Sequence, residues 1–595
     1  MKKYIFLTAA LASMMSLGSC SLDENNYSAI STDEEWSTAA GFEKLVNSCY
    51  MGLIRVVYGQ AEDTYIIGSE GGTDIWQDVS NSGNWRKALT YEGFDASVSM
   101  FLEAYQGFYF TLNECNAAIQ YADKVTGLSQ DAINALAAEA HFLRAHALYS
   151  IVEQYGGKYL ATEPTSSAIV SLSCSTVNEF YDVIFADLEF AMQYLPAKQE
   201  VYGHVTRAAA YHQYAKCCLS YASYTDAEIC AICNATPISA SEAQSYYNKA
   251  KEAAEYLINR AGDFGVELYA DVADVFRDGN NKTNKEAIFR VCHSTIQALN
   301  PRGNYYNRAW KHYCAYSNNN NGIYLEGMIP SYTTTPKLAK GNCYMCPSKK
   351  FIDLYGEKDG RYEAFFTTAW YVNNANSGDQ YAWTSADCKI YGLDESRVGN
   401  AAYNLSLGDT AVFISRKTYT QAEKDACRYA IYNIEDNYTD PVQPKKFFPS
   451  CLKGNDPSDY AGSNASKPYT SGDCIIYRLG ETYLMAAEAN WRLGDEANAL
   501  RYLNAIRNRA CIGHDHSMDL TAIDQDVLLN EYALEMVGEW NRWFTLKRFR
   551  AFESRLAAFN PQNSGNWKKS YYVRPINTTE ILNLLNPEEY QNSGY

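Results

Sequence analysis

Apolar residues recur at steps of three and four along much of the chain, which is the period of one helix face. Residues 131–155 show this best, with an apolar stripe made of Leu136, Ala140, Leu143, Ala147 and Ile151. Two glycines, Gly156 and Gly157, follow and predict the end of the helix. An amphipathic segment at 99–122 precedes it. The pattern therefore predicts a helical hairpin.

The same construction returns at 473–511, where one predicted face consists of Ile476, Leu479, Tyr483, Ala486 and Asn490. A turn at Leu493-Gly494-Asp495 separates it from a second face made of Leu500, Leu503, Ile506 and Ala510. This turn, with Ala499 after it, resembles that of a tetratricopeptide repeat, whose unit is about 34 residues. Further helices are predicted at 176–195, 204–222 and 241–260, with weaker ones at 347–356 and 526–556. Such hairpins bury their faces by stacking.

Two long stretches, about 300–345 and 366–470, have little helical period and are rich in Asn, Gly, Ser, Tyr and Trp. Structureless connections beyond about 15 residues are usually functional or disordered, and the aromatic content argues against disorder. We therefore expect an all-α fold of stacked tetratricopeptide-like hairpins that carries a loop-rich layer with little strand. Behind a leader at 1–19, a single body at 20–595 would comprise a helical scaffold to about 300, the loop-rich segment at about 300–470 and a helical repeat with its tail at about 471–595.

The chain opens with Met1, Lys2 and Lys3, an apolar stretch from Tyr4 to Met15, and then Leu17-Gly18-Ser19-Cys20. This is the layout of a secretory signal peptide. The apolar stretch is about a dozen residues, whereas a spanning helix needs about twenty. Leu-Gly-Ser-Cys resembles a bacterial lipobox, so we expect cleavage before Cys20 and lipid on its thiol, which acyl chains such as palmitate would supply. The alternative is an ordinary signal with a coincidental cysteine.

The net charge of −18 argues against nucleic acid, because phosphate binding requires a basic face. The 50 tyrosines, with 10 tryptophans and 23 phenylalanines, bring aromatic residues to 14%, which is enough for many of them to reach the surface. Such rings serve either helix packing or ligand contact, because tyrosine is intermediate in burial.

The 17 cysteines are scattered and lie largely on apolar helix faces, where a free thiol behaves as a small hydrophobe. Two CxxC pairs, Cys230 with Cys233 and Cys343 with Cys346, are too far apart in sequence for a zinc ribbon. Cys511, His514 and His516 form a further small cluster, for which we expect a solvated turn between helices. We therefore predict neither a metal site nor a cofactor.

Several segments together resemble the SusD/RagB family of outer-membrane lipoproteins, the glycan-binding partners of TonB-dependent (SusC-like) transporters in Bacteroidetes. The resemblance is carried by 139–145 with 154–157, 180–182 with 187–189 and 195–196, 284–289, 351–355 with 359–361, 477–484 with 487–489, 503–510, 586–587 and 591–595. Departures from the family pattern occur at Glu531-Tyr532, at Gly538-Glu539 and at Ser593. The resemblance implies four tetratricopeptide-like units, a loop-rich binding face, no catalytic activity and a role in handing oligosaccharide to the transporter. The acidic start after Cys20 looks like the export tag of surface lipoproteins in that group and predicts an outer-membrane protein facing the cell exterior.

The chain contains no HExxH, GxSxG, Walker or GxGxxG motif. Glycoside hydrolysis needs a pair of carboxylates at a set separation, and 69 acidic residues leave such a pair open. Sugar recognition instead needs flat apolar faces and a few polar groups. The predicted ligand-binding residues are loop residues in two regions: Trp76, Trp85, Tyr305, Tyr306, Asn307, Arg308, Trp310 and Tyr313. The polar neighbours of Trp76 and Trp85 favour exposure of these two rings, and members of the resembled family place ligand-stacking aromatics in about the same two regions. Trp370 and Trp383 form a third, weaker group. For each of these residues the alternative role is packing of loops against the scaffold.

The leading hypothesis is thus a membrane-anchored surface protein that binds oligosaccharide or polysaccharide and feeds a transporter. A peptide or protein binder on the same scaffold is the first alternative, because family resemblance indicates architecture better than ligand. A structural scaffold of an outer-membrane assembly and a hydrolase are the remaining ones.

Overall fold

The structure is a computed structural model that describes residues 32–60, 62–80, 83–294, 296, 307, 312–315, 343–372, 375–442, 444, 447–451, 453 and 471–595. In the first half its α-helices are α1 Thr32–Trp36, α2 Ala39–Cys49, α3 Glu62–Glu70, α4 Gly83–Thr90, α5 Met100–Tyr121, α6 Gln130–Tyr155, α7 Val177–Tyr194, α8 Arg207–Tyr221, α9 Ala227–Cys233 and α10 Ala240–Asn259. A π-helix, Leu53–Gln60, precedes α3.

The second half contains shorter helices until the chain approaches its C-terminus. They are α11 Lys349–Ile352, α12 Arg361–Phe365, α13 Ser385–Tyr391, α14 Gln421–Ala426, α15 Ile434–Asn437, α16 Leu479–Arg492, α17 Glu496–Ala510, α18 Gln525–Met536, α19 Arg542–Arg548, α20 Phe552–Phe559, α21 Pro561–Ser564, α22 Thr578–Ile581 and α23 Pro587–Tyr590. Short 3-10 turns lie at Ala122–Lys124, Ala261–Phe264, Val272–Asp274, Asn281–Thr283, Glu395–Arg397, Ala401–Tyr403 and Lys569–Tyr572.

Three of the long helices, α6, α7 and α10, begin at Ser or Thr side-chain caps. The Ser129 hydroxyl accepts a hydrogen bond from a backbone N–H in the first turn of α6, and Ser239 does the same for α10. Thr176 and Glu179 form a reciprocal capping box at the start of α7. Because each cap satisfies an otherwise unpaired N–H, these positions define where the helices begin.

The helices pack one after another into a superhelix, in the order α5, α6, α7, α8, α10, α16 and α17. Four of the six neighbouring pairs join helices that are consecutive in the chain, and α10 packs against both α8 and α16. The chain leaves this stack after Asn259 and returns at Leu479. The predicted helical fold is therefore confirmed, and the loop-rich segment is an excursion between two neighbouring helices.

The strands are short: β1 Trp76–Asp78, β2 Ala287–Val291, β3 Met345–Pro347, β4 Phe366–Thr367, β5 Ala369–Tyr371, β6 Gln380–Tyr381, β7 Leu405–Ser406, β8 Thr410–Ser415, β9 Ala430–Asn433, β10 Ser450–Cys451 and β11 Cys474–Arg478. Most form antiparallel pairs, namely β1 with β3, β2 with β11, β4 with β10 and β6 with β7. In the three-stranded sheet β5-β8-β9, the β8 and β9 strands run parallel.

Three predicted helical segments differ from the structure. Of the segment predicted at 347–356, only Lys349–Ile352 is helical. Residues 474–478, including Ile476, form β11, because β2 supplies a partner strand from nearly 190 residues earlier in the chain. The segment predicted at 526–556 is divided among α18, α19 and α20, with positive φ at Gly538, Trp540 and Arg550. Left-handed backbone at these positions cannot continue a right-handed helix.

A buried ion-pair cluster holds α18 against α12, α16 and α17. Arg478 and Arg509 both contact Glu535, and Arg478 also contacts Glu539 at 2.6 Å. Arg361 bridges Glu531 and Glu535 at 2.6 and 3.4 Å. Glu531 and Glu539, from the two segments of this region that depart from the family pattern, thus lie in this cluster, where opposite charges offset the cost of removing each from water.

Cysteines in the described residues carry free thiols, and most of them are buried. His514 and His516 lie exposed in the turn between α17 and α18, as predicted, but Cys511, the third member of that cluster, is buried. Cys20 lies outside the described residues. Among the helices of the described residues, none combines the length and the apolar character needed to cross a bilayer.

Candidate functional site

The two loop regions that the sequence predicts as a binding face come together through a short strand pair. Trp76 pairs with Pro347 and Asp78 with Met345 across β1 and β3, and the Val79 N–H donates to the Tyr344 carbonyl at 3.0 Å. This antiparallel pairing brings residues 76–90 beside residues 312–315 and 343–347.

Aromatic rings from both regions stack at this contact. The Trp76 indole lies 4.5 Å from the Tyr313 ring, centroid to centroid. Trp85 lies 4.8 Å from His312, nearly parallel, and 4.3 Å from Tyr344. We call these five residues the aromatic junction.

Trp76 is fully buried, so the prediction that it is exposed is wrong. Its indole N–H donates to Glu70 at 2.8 Å, and the same carboxylate accepts the backbone N–H of Asn541 at 2.9 Å. Burial raises the pKa of Glu70 to about 7, against these hydrogen bonds and the nearby Arg542, which favour the charged form. Trp76 therefore fixes the loop to the helical body rather than offering a ring face to solvent.

The polar residues around Trp76 are buried too, which is why their polarity does not indicate exposure. Arg542 donates two hydrogen bonds to the Asp74 carboxylate at 2.7 and 2.6 Å, and Arg555 donates a third at 2.9 Å. Burial alone would raise the pKa of Asp74, but these guanidinium groups outweigh it and lower the pKa to about 2. The loop is thus polar because α19 and α20 bind it.

Trp85 lies nearer the surface but is only 7% exposed, so its predicted exposure is also wrong. The neighbouring Arg86 side chain keeps 30% exposure and forms an ion pair with Glu92 at 2.7 Å. Tyr344 is half-buried. The side of the junction formed by Trp85, Arg86 and Tyr344 therefore leads towards solvent.

The remaining predicted site residues divide into two sets. Asn307 and Tyr313 are each 2% exposed, and Asn307 lines an internal cavity of about 20 Å³ with Lys453, Glu539 and Trp540. A cavity of that size holds water rather than a sugar. Tyr305, Tyr306, Arg308 and Trp310 lie outside the described residues.

The third aromatic group is buried as well. Trp370 is 1% exposed on β5, and Trp383 is 2% exposed, with its indole N–H donating to the carbonyls of Tyr403 and Arg428. Trp370 and Trp383 are therefore packing residues of the loop layer, which is the alternative role that the sequence left open for them.

Sequence reasoning missed His312 and Tyr344, although both contribute rings to the junction. His312 directly precedes the predicted Tyr313, and Tyr344 follows the positive-φ residue Cys343 at the entry to β3. The only signal was this proximity to other aromatic residues. The strand pairing that brings Tyr344 to Trp85 spans more than 250 residues.

The rings of the junction are buried except for the half-buried Tyr344, so the junction holds the two loop regions together. The Arg86 guanidinium is partly exposed and pairs with Asp78 and Glu92. Carboxylates on the same loop are already engaged: Asp74 by two arginines, and Asp78 by Ser80 at 2.5 Å and by Arg86 at 3.5 Å. Acid-base catalysis at a glycosidic bond needs carboxylates able to reach the substrate.

Comparison with known families gives two matches that together extend over most of the chain. The model of the SusD family matches residues 285–595. A second model, described as starch-binding and associating with the outer membrane, matches residues 21–219.

Similar proteins of known sequence and structure agree with this. The chain is 22% identical to the SusD-like protein P2 of Formosa agariphila, over all of this chain and 98% of that protein. A laminarin-binding SusD-like protein has 18% identity and a TM-score of 0.59, covering 94% of this chain and 100% of its own. Surface glycan-binding protein A of Bacteroides thetaiotaomicron, solved with laminarihexaose, has 19% identity and a TM-score of 0.61, covering 93% and 99%. At these identities the structural matches establish the fold.

Proposed function

This chain belongs to the SusD family, and from that membership we propose that it is a non-catalytic surface protein that binds an oligosaccharide or polysaccharide and delivers it to a TonB-dependent outer-membrane transporter. The main support is the fold shared, over more than nine-tenths of the chain, with proteins whose names record laminarin and laminarihexaose. A shared fold does not specify a ligand, so the ligand class has to follow from the residues of the binding site.

The aromatic junction supports the proposal by showing how the binding loops would be held. Its buried rings tie residues 76–85 to residues 312–313 and 344. The sequence just before His312 contains Tyr305, Tyr306, Arg308 and Trp310, which we propose as the ligand contacts. Aromatic rings would receive the C–H faces of pyranose rings, and Arg308 would donate to hydroxyls, the usual division between apolar surface and a few polar groups.

The proposed location is the outer membrane, with lipid on Cys20 and the body facing the cell exterior. A second family model, described as associating with the outer membrane, supports the coarse part of this proposal. Each methylene group of the acyl chains that enters the bilayer would contribute about 0.8 kcal/mol. Several chains on one cysteine would therefore hold the protein at the membrane without a spanning helix. Mass spectrometry of the protein purified from membranes should find a diacylated or triacylated Cys20 as the first residue.

The glycan proposal is tested by electrophoresis of the protein through gels that contain laminarin, starch or other polysaccharides, followed by calorimetric titration. Trp310→Ala should weaken binding of the retained polysaccharide by about tenfold or more, because it removes a stacking ring. The matched control is Trp491→Ala, which removes a partly buried indole from the helical scaffold at the end of α16. This control should bind as the wild type does.

The outcomes separate the alternatives. If the protein retains peptides and no polysaccharide, the peptide-binding alternative holds; if it retains neither, the scaffold alternative holds. Release of reducing sugar ends from a retained polysaccharide would contradict the non-catalytic assignment. Equal losses in the two tryptophan variants would show that the 305–313 loop is not the contact surface.

A further inference from the structure

A separate cavity of about 240 Å³ lies on the side of the molecule formed by α5, the segment 159–172 and the C-terminal tail. It shares no residue with the aromatic junction. Four tyrosines line it: Tyr105, Tyr109, Tyr159 and Tyr590. We call it the tyrosine cleft.

The tyrosines form one wall of the cleft, and three of their four hydroxyls hydrogen-bond within that wall. Tyr105 and Tyr590 share a hydrogen bond between their hydroxyls at 2.6 Å, and the Tyr590 hydroxyl also accepts the Tyr159 N–H at 3.2 Å. The Tyr109 hydroxyl donates to the Tyr159 carbonyl at 2.7 Å. These hydrogen bonds satisfy the hydroxyls of Tyr105, Tyr109 and Tyr590, so those groups are not available to a ligand. Tyr105 and Tyr590 are buried, and the half-buried Tyr109 and Tyr159 supply the partly exposed rings of the cleft.

The rim of the cleft, unlike its tyrosine wall, carries several polar groups that have no hydrogen-bond partner in the described part of the chain. Asn113 uses its carbonyl oxygen to accept the Thr165 N–H at 2.8 Å. Within the described part of the chain, the Asn113 amide nitrogen, the Thr165 hydroxyl and the Glu163 carboxylate have no hydrogen-bond partner. Glu163 and Thr165 are exposed, so the cleft reaches solvent at this rim. The rim thus offers the Asn113 amide as a donor, the Glu163 carboxylate as an acceptor and the Thr165 hydroxyl as both.

Aromatic faces beside unpaired polar groups are the complement of a sugar ring, which has C–H faces and a girdle of hydroxyls. The volume lies just below the ~300 Å³ at which pockets for drug-sized ligands begin, so the cleft suits about one or two rings. Glu163 and Glu580 are the charged residues that line it, and Glu580 accepts from Gln106 at 2.7 Å. Two carboxylates disfavour an anionic ligand.

We propose that the tyrosine cleft is a second carbohydrate-binding site, for a short neutral saccharide, distinct from the loop face. The inference rests on the proposed function for its ligand class, and it adds a site on another part of the molecule. A glycan chain held at both places would dissociate more slowly than one held at either.

The test removes the half-buried ring that borders the opening. Tyr159→Ala deletes the ring and keeps the backbone hydrogen bonds at this position. Tyr159→Phe is its matched control, because the Tyr159 hydroxyl has no partner among the described residues. Both changes are made in a Trp310→Ala background, so that the loop face contributes little. Thermal unfolding of each variant confirms that it folds.

Binding of maltotriose, laminaritriose and a glucuronate-containing disaccharide is measured by saturation-transfer NMR and calorimetry. We expect a neutral trisaccharide to bind the background protein, Tyr159→Phe to leave its affinity unchanged, and Tyr159→Ala to weaken it about tenfold. Glu163→Gln should weaken the affinity for the neutral trisaccharide by less than Tyr159→Ala does. It should also reduce the ratio of the affinities for the neutral and the acidic saccharide, because it removes a negative charge from the cleft.

Two outcomes overturn the inference and are distinguishable. If the wild type binds glycan and Tyr159→Ala matches Tyr159→Phe, the cleft is not a carbohydrate site and the proposed function stands. If the wild type retains no glycan at all, the proposed function fails and the inference fails with it. Loss of co-purification with a membrane protein in Tyr159→Ala, with saccharide binding intact, would assign the cleft to a protein partner instead.

Discussion

At the scale of single residues, the site region shows how a polar neighbourhood can be buried. Asp74 and Gln77 flank Trp76 in sequence, and such neighbours are typical of an exposed loop. In the structure Asp74 binds Arg542 and Arg555, while Gln77 donates to the Pro441 carbonyl at 2.8 Å. These partners lie more than 360 residues away in sequence, so local composition could not reveal them.

Glu70, the buried partner of Trp76, should make the stability of the protein depend on pH. Its pKa is raised to about 7 in the fold, so between pH 4.5 and 7 the native state holds a proton that the unfolded state has lost. Stability contributed by this group is therefore present at low pH and is lost as the pH rises through 7. Relative to Glu70→Gln, which cannot titrate, the wild type should lose on the order of 3 kcal/mol between pH 5 and 8.

Urea unfolding of both proteins at pH 5, 6.5 and 8 measures this difference. The matched control is Glu92→Gln, which changes an exposed carboxylate just after α4, where a surface ion pair contributes little. Parallel stability profiles for the wild type and Glu70→Gln across this range would contradict the prediction.

At the scale of secondary-structure elements, helical periodicity was a reliable guide where one helix face packs on its neighbours in the stack. Predictions at 99–122 and 131–155 agree with α5 and α6 to within one residue at each end. Periodicity was misleading at 526–556, where the chain breaks at Gly538 so that Glu539 reaches Arg478 and Lys453. Ion pairing there overrides a pattern that is otherwise helical.

The start of α16 gives an element-scale prediction. A β-carbon at Gly480 would stand 2.2 Å from the Arg478 Nη1 atom and 3.0 Å from the Arg509 Nη2 atom. Neither guanidinium can move freely, because both are buried in ion pairs with Glu535. Gly480→Ala should therefore destabilise the protein by about 1–3 kcal/mol, although alanine usually favours a helix over glycine.

Chemical denaturation measures the effect, with Gly262→Ala as the control. A β-carbon at Gly262 meets nothing within 4 Å, and its φ is not positive. That variant should change stability by less than about 0.5 kcal/mol. Equal stabilities of the two variants would show that the arginines of the cluster tolerate displacement.

At the scale of the whole molecule, the two ends of the described chain are packed against each other. The Arg574 N–H donates to the Gln154 carbonyl at 2.6 Å, and its guanidinium donates to the carbonyls of Gly68 and Gly71. The Asn592 amide donates to the Tyr155 carbonyl at 2.9 Å. Because late residues complete the N-terminal helices, the described body is interleaved, and an N-terminal and a C-terminal half would each lack part of their core.

Removing residues 587–595 should therefore destabilise helices at the other end of the sequence. The truncation takes away Tyr590, which binds Tyr105 through its hydroxyl and accepts the Lys158 ammonium at its carbonyl at 2.8 Å. We expect a loss of several kcal/mol, since it leaves buried polar groups unpaired, and faster hydrogen exchange in α5 and α6. The control is Glu588→Ala in the same segment, an exposed position. If the faster hydrogen exchange in the truncated protein were confined to the residues just before position 587, the interleaved description would be contradicted.

Local patterns in the sequence were sufficient for the helices of the stack, the glycines after α6 and the turn at Gly494, because each depends on residues a few positions apart. The family resemblance, rather than a local pattern, indicated the regions of Trp76 and Tyr313 together as candidate binding regions. Only the tertiary structure decided which rings are buried, that Ile476 belongs to a strand, and where the tyrosine cleft lies. The physical reason is that burial and ion pairing depend on partners hundreds of residues away, such as Arg542 for Asp74 and Tyr590 for Tyr105, which no local pattern contains.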